Sequence, residues 1–93
     1  MAQTFSVRKD PDAELDYTMS WVEWLAEASD TISTSLWIAE AGITIASQSN
    51  TTTAATVWLS DGTNEENYEV TNRITTIGGR TDDRTIIVKV RNR

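Results

Sequence analysis

The sequence predicts an all-β fold, an immunoglobulin-like β-sandwich of about seven antiparallel strands with one short helical turn. Three observations predict it. Apolar residues recur at every second position over most of the chain. Turn residues interrupt that alternation at intervals of roughly ten residues. The 93 residues suffice for a single domain spanning 1–93 and are too few for two.

The first candidate strand, "TFSV", places Phe5 and Val7 on one face. "ELDYTMSW" follows, with Leu15, Tyr17, Met19 and Trp21 opposite Glu14, Asp16, Thr18 and Ser20. The period then changes. In "SWVEWLAEAS" the apolar positions Trp21, Trp24, Leu25 and Ala28 have helical spacing, and Ser20 followed by Glu23 reads as a capping box. A helical turn or two should therefore join the second and third strands across an open end of the sandwich. Its tryptophans are then either a lid on the core or an exposed docking patch.

"TISTSLWIA" alternates Ile32, Thr34, Leu36 and Ile38, and "GITIA" adds Ile43 and Ile45. The polar tract "SQSNTTTAAT" reads as a loop leading into the next strand, where Ala55, Val57 and Leu59 precede an Asp61-Gly62 turn. "NYEVTNRITT" aligns Tyr68, Val70, Asn72, Ile74 and Thr76. Tyr68 stands two residues before a core position and shortly after the Asp-Gly turn, the placement of a tyrosine corner whose hydroxyl bonds back across the reversal. "TIIVKV" closes with Ile86, Val88 and Val90.

Composition removes whole classes of function. There is no cysteine and no histidine, so no disulfide framework, thiolate zinc site, cysteine nucleophile or histidine base can be built. The alternate acids of "DPDAELD" suggest calcium, but the glycine and glutamate of an EF-hand loop are missing. Gly78-Gly79 is too short for a phosphate cradle, and no cleft for a carboxylate pair is foreseen. The expectation is a protein without enzymatic activity, cofactor, metal or small-molecule substrate. The N-terminus lacks the apolar core of a signal peptide, and no run reaches the ~18 apolar residues of a membrane span. A soluble product with no membrane partner, synthesised in a cytoplasm, is expected.

The net charge is −6, with twelve acids and no lysine or arginine between Asp10 and Asn72. Arg8 and Lys9 precede that stretch, and Arg73, Arg80, Arg84, Lys89, Arg91 and Arg93 follow it. An acidic body without a dense basic patch argues against nucleic acid. The split either neutralises itself within one molecule or makes a two-signed surface that docks on copies of itself or another partner.

"TNRITTIGGRTDDRT", Thr71 to Thr85, holds two glycines followed by a turn with four charges, Arg80, Asp82, Asp83 and Arg84. Gly78 and Gly79 permit the reversal. Arg80 or Arg84 can pair with Asp82 or Asp83, which leaves two readings open: a self-contained hairpin tip and a contact surface.

This stretch, with "KDPDAELDYTMSWVEWL" upstream and "ATVWLSDGT" between, resembles a family of small tailed-bacteriophage proteins, the fiber-tail adaptors or small virion structural proteins. The resemblance runs from Phe5 to Val90. It implies a structural part of the virion tail that attaches fibers and contacts other tail or fiber proteins, with copies of itself in a ring. A capsid decoration or cement protein is the alternative, and a carbohydrate- or calcium-dependent binding module, with Trp37 or Trp58 exposed beside acids, is a third. The contacts are expected at the Gly78 to Arg84 hairpin and the Trp21 to Leu25 segment. Trp21 and Trp24 would serve as apolar anchors, and Arg73, Arg80, Asp82, Asp83 and Arg84 as charged contacts.

Overall fold

The computed structural model describes residues 3–92. The strands are β1 (Gln3–Lys9), β2 (Leu15–Ser20), β3 (Ile32–Ala39), β4 (Ile43–Asn50), β5 (Ala54–Asp61), β6 (Asn67–Thr76) and β7 (Thr81–Val90). Between β2 and β3 lies the helix α1 (Val22–Ala26). The strands form two sheets, β1-β7-β6-β3 and β2-β5-β4, packed face to face as a sandwich.

The alternation identifies the buried face of β5, β6 and β7. Ala55, Val57 and Leu59, the row from Tyr68 to Thr76, and Ile86, Val88 and Val90 are all buried. They meet Trp21, Leu25 and Trp37 in one apolar cluster. A fully covered tryptophan such as Trp21 removes enough apolar surface for a gross stabilisation of roughly 4–6 kcal/mol, before conformational entropy is counted.

Several expectations need correction. The strands are not all antiparallel: β1 runs parallel to β7, in a register from Gln3 opposite Arg84 to Lys9 opposite Val90. A parallel pair needs a long crossover, and the whole chain between the two strands supplies it. In β3 the alternation assigned Thr34, Leu36 and Ile38 to the row of Ile32. A register shift between Ile32 and Thr34 leaves Ser33 as an extra residue and reverses the phase. Trp37 is consequently buried, whereas Leu36 and Ile38 are 50% and 43% exposed.

The polar tract after Ile45 is mostly strand. β4 continues to Asn50 and β5 starts at Ala54. Being an edge strand, β4 tolerates serine, glutamine and asparagine, and Gln48 Oε1 accepts the backbone N–H of Trp37 across the side of the sandwich at 3.1 Å. β7 begins at Thr81, ahead of the "TIIVKV" run that marks it in the sequence. The capping box does not form, since α1 is capped by Trp21 without a side-chain bond. The Ser20 hydroxyl accepts only a long 3.5 Å bond from the N–H of Val22.

Tyr68 makes the expected bond. Its hydroxyl oxygen accepts the backbone N–H of Thr63 at 2.9 Å. The ring is gripped closely: a Cβ on Gly42 (φ +106°) would stand 2.7 Å from Tyr68 Cε1. Lys9 is buried at the other end of the β1 row, its Nζ donating to the carbonyls of Asp61 (2.7 Å) and Asp10 (2.9 Å). Burial lowers its pKa, and Asp61, Asp10 and Asp12 pull the other way.

The charge split acquires a spatial meaning. β2, β4 and β5 carry no lysine or arginine, so the three-stranded sheet has no cation within its strands. The basic strand residues, Arg8, Lys9, Arg73, Arg84 and Lys89, all belong to the four-stranded sheet. Arg93 lies outside the described residues.

Candidate functional site

At one end of the sandwich β2 runs into α1 and β6 turns back into β7. The β6–β7 turn closes with Thr76 N–H to the Arg80 carbonyl (2.8 Å), Gly79 N–H to the Thr76 carbonyl (3.0 Å) and Arg80 N–H to the Thr76 hydroxyl (3.0 Å). Gly79, at φ +88°, takes a conformation that disfavours side chains.

Asp30, in the loop after α1, clasps this turn. One carboxylate oxygen accepts the N–H of Gly78 (3.1 Å) and of Thr31 (2.9 Å), and the other accepts Arg80 Nε (3.3 Å). The N–H of Ile77 also donates to the Thr31 carbonyl at 3.0 Å. The Thr76 hydroxyl, with the N–H groups of Thr31 and Gly78 and the Arg80 guanidinium, outweighs partial burial and holds the Asp30 carboxyl at a pKa of about 2.

Two arginine–tryptophan stacks bind the hairpin to α1. Arg80 lies 4.2 Å over the ring of Trp24 and Arg84 4.0 Å over the ring of Trp21. Such contacts contribute about 0.5–2 kcal/mol, more where water is excluded. The two tryptophans meet edge to face at 5.4 Å, and Arg84 donates to the Ser20 carbonyl at 2.6 Å. Burial lowers the Arg84 pKa against the attraction of Asp82 and Glu23, and an arginine remains a cation throughout the ordinary pH range. Trp21 is fixed from inside, its Nε1–H donating to Asn72 Oδ1 at 2.9 Å. Asn72 Nδ2 in turn donates to the Ser35 hydroxyl (2.9 Å) and the Leu36 carbonyl (3.2 Å).

Arg73 and Asp83 face each other on the outer side of the four-stranded sheet. Arg73 Nε and Nη2 bond the two carboxylate oxygens at 2.8 and 3.0 Å. The mutual bond lowers the Asp83 pKa and raises that of Arg73. With 49% and 32% of the side chains exposed, solvent screens the pair and it adds little to stability. Asp82 bonds the N–H of Asp83 at 2.9 Å and, with Arg73, Thr81 and Asp83, lines a shallow depression of about 470 Å³.

The structure thus gathers six of the seven expected residues into two groups. Trp21, Trp24, Arg80 and Arg84 form one, at the end of the sandwich; Arg73 and Asp83 form the other, on the sheet, with Asp82 beside them. The expected pairing of Arg80 or Arg84 with Asp82 or Asp83 is replaced by Arg80 to Asp30 and Arg73 to Asp83. Trp21 is wholly buried and Trp24 half-buried, while Val22 and Ile77 are 51% and 72% exposed at the same end. Asp30 and Asn72 were not legible as members of this site. Each lies about fifty positions from its key partner, and nothing in the sequence around either marks that pairing.

A second and larger cleft, about 590 Å³, lies at the opposite end beside Arg8, Asp12, Leu15 and Arg91. Among the described residues no group of three or more acids could hold a metal ion, and no helix is long and apolar enough to cross a membrane.

The model of the family described as podophage GP4 fiber-tail adaptor protein gp77 matches residues 9–89. The chain belongs to this fiber-tail adaptor family. The match covers β2 through nearly all of β7, and with them both residue groups just described. No curated protein matches the chain. The adaptor family is one of phage tail structure, and this member carries no recognisable catalytic motif, metal cluster or cysteine among the described residues.

Proposed function

We propose that this chain is a non-enzymatic virion structural protein that joins tail fibers to the phage tail through protein-protein contacts. It acts as one immunoglobulin-like domain over 1–93. The observation that carries the reading is the locked end of the sandwich. Asp30 and the two arginine–tryptophan stacks hold α1 and the β6–β7 turn as one body, so a partner meets a surface already ordered before binding. Ile77 and Val22 protrude from it as apolar contacts, with the cations Arg80 and Arg84 beside them. Trp21 serves from within, as the pin of that surface, and half-buried Trp24 offers its edge. Arg73, Asp82 and Asp83 extend the contact onto the sheet.

The immunoglobulin-like assignment is supported by the strand orders, which correspond to B-E-D and G-F-C sheets with the first strand moved beside the last. Trp37 buried on β3 and the Tyr68 corner on β6 support it further. The family description favours the tail over the capsid shell as location. One observation favours the carbohydrate-module reading: Trp58 is 42% exposed and stands opposite Asp16.

Replacing Arg80 and Asp83 together by alanine tests the placement of the contact. The expected result is a protein with unchanged circular dichroism, destabilised by about 1–2 kcal/mol, that enters particles poorly. Normal incorporation of fibers would place the contact elsewhere.

A further inference from the structure

The two lateral sides of the sandwich are built differently. On one side the edge strands β3 and β4 each carry a register shift, between Ile32 and Thr34 and between Ile45 and Ser47. Gln48 of β4 also takes the outward N–H of Trp37 on that side. Bulges and covered backbone groups are ordinary means of closing a sheet edge to further strands. On the other side β1 and β2 are the edges, and both ladders run without a shift, from Gln3 to Lys9 and from Leu15 to Ser20.

The bonds of these strands fix which backbone groups face out. The Lys9 carbonyl accepts the N–H of Arg91, one step past its register partner Val90. Phe5, Val7 and Lys9 therefore bond β7, while Ser6 and Arg8 turn their main-chain groups outward. On β2, the N–H of Trp21 bonds the Thr53 carbonyl, so Asp16, Thr18 and Ser20 are the residues turned outward. Two outward carbonyls are taken by side chains that bridge the gap between the sheets. The Tyr17 hydroxyl donates to the Arg8 carbonyl at 2.9 Å, and Arg84 Nη1 donates to the Ser20 carbonyl at 2.6 Å. Between these bridges, the N–H and carbonyl of Ser6 and the N–H of Arg8 have no partner among the described residues.

The side chains of this edge are unfinished as well. Along the inward row of β1, Lys9 is buried, Val7 is half-buried and Phe5 is 43% exposed, so cover fails toward the start of the strand. On the outer face Arg8 stands directly opposite Lys89, and both are exposed. Neither joins an ion pair among the described residues, where the pairs are Arg73–Asp83 and Arg80–Asp30. Like charges facing each other across a ladder repel. An acid beside them relieves that repulsion. The net charge of −6 does not oppose it strongly, because physiological salt screens exposed charges beyond about 8 Å.

We propose that β1 is a docking edge for an extended segment of a partner protein, laid antiparallel to β1, with apolar side chains in the row of Phe5 and acids in the row of Arg8. Main-chain bonds to Ser6 and Arg8 would supply the affinity and the alternating side chains the specificity. The Tyr17 bridge occupies the Arg8 carbonyl, so the added segment runs from the start of β1 to the Arg8 N–H and no further. This edge is a different surface from the β6–β7 turn and α1, and the two contacts hold or fail separately.

Titration of the purified full chain with a blocked peptide in which valine alternates with glutamate, followed by backbone-amide NMR and hydrogen exchange, tests it. A Kd of about 0.1–1 mM is expected, since a free peptide must be ordered on binding, with the Ser6 and Arg8 amides becoming protected. The same peptide with lysine for glutamate should bind on the order of 10-fold more weakly, and Arg8→Glu should reverse that order. Ser6→Pro removes an outward N–H and no bond to β7, a change that edge strands accept. It should keep the wild-type circular dichroism and weaken binding on the order of 10-fold or more. No binding at about 1 mM, protection of β3 and β4 amides instead, or undiminished binding by both Ser6→Pro and Arg8→Glu would each overturn the proposal. A chain that captures the peptide at β1 yet is absent from the particle would uphold the docking edge and refute the adaptor reading alone.

Discussion

Replacing Asn72 by alanine removes three hydrogen bonds at once: one accepted from Trp21 Nε1 and two donated, to the Ser35 hydroxyl and the Leu36 carbonyl. Asn72 and Trp21 are both fully buried, so water cannot replace the lost acceptor without disturbing the core. A net hydrogen bond is worth about 0.5–1.5 kcal/mol, and an orphaned buried donor costs about 1–3 kcal/mol. The expected destabilisation is about 2–4 kcal/mol. For a domain of this size that corresponds to a melting temperature lower by about 10–30 °C. Urea unfolding should show the loss in the midpoint with the slope unchanged.

The decisive comparison is a double-mutant cycle with Trp21→Phe, which keeps an aromatic face under Arg84 but has no N–H. The two changes should couple by about 1–2 kcal/mol. Additivity within about 0.5 kcal/mol would refute the claim that Asn72 holds Trp21, and with it the account of how the end of the sandwich is fixed.

The acid limb of stability should bear the mark of Asp30. Its folded pKa, about 2, lies below the ordinary 3.8, so its contribution is complete above pH 3.8 and disappears as the pH falls toward 2. Asp83, also lowered, acts in the same direction. Asp30→Asn should flatten the pH profile in that window, as followed by thermal unfolding across an acid series. Gly42→Ala forces a side chain into a φ of +106° and against the Tyr68 ring at 2.7 Å; a loss of more than about 1 kcal/mol is expected from strain alone. A Gly42→Ala protein as stable as the wild type would show that the corner can relax.

Much of the fold is legible because β5, β6 and β7 alternate without interruption through the core. Asn72 and Thr76 take buried places in that row although they are polar. β3 misleads for a local reason: one inserted residue, Ser33, reverses which side chains face inward, and no composition signal marks it. The parallel pairing of β1 is equally hidden, because its partner is the last strand and the alternation of Phe5 and Val7 suits either direction. The tryptophan segment is correctly read as a helical turn across the end, and Trp21 is a lid in the strict sense.

The charge pairings are the part that spacing could not give. Asp82 and Asp83 are the nearest acids to Arg80 and Arg84 in sequence, yet the turn brings Arg80 against Asp30 and turns Asp83 outward to Arg73. Folding likewise converts the cation-free run between Asp10 and Asn72 into a property of one sheet.

The most direct test of the central claim is a cryo-electron-microscopy reconstruction of the whole virion, with the tail resolved without imposed icosahedral symmetry. Density for this chain is predicted between tail and fiber, with the β6–β7 turn and α1 facing a partner. Density on the capsid shell, or none in the particle, would contradict the account.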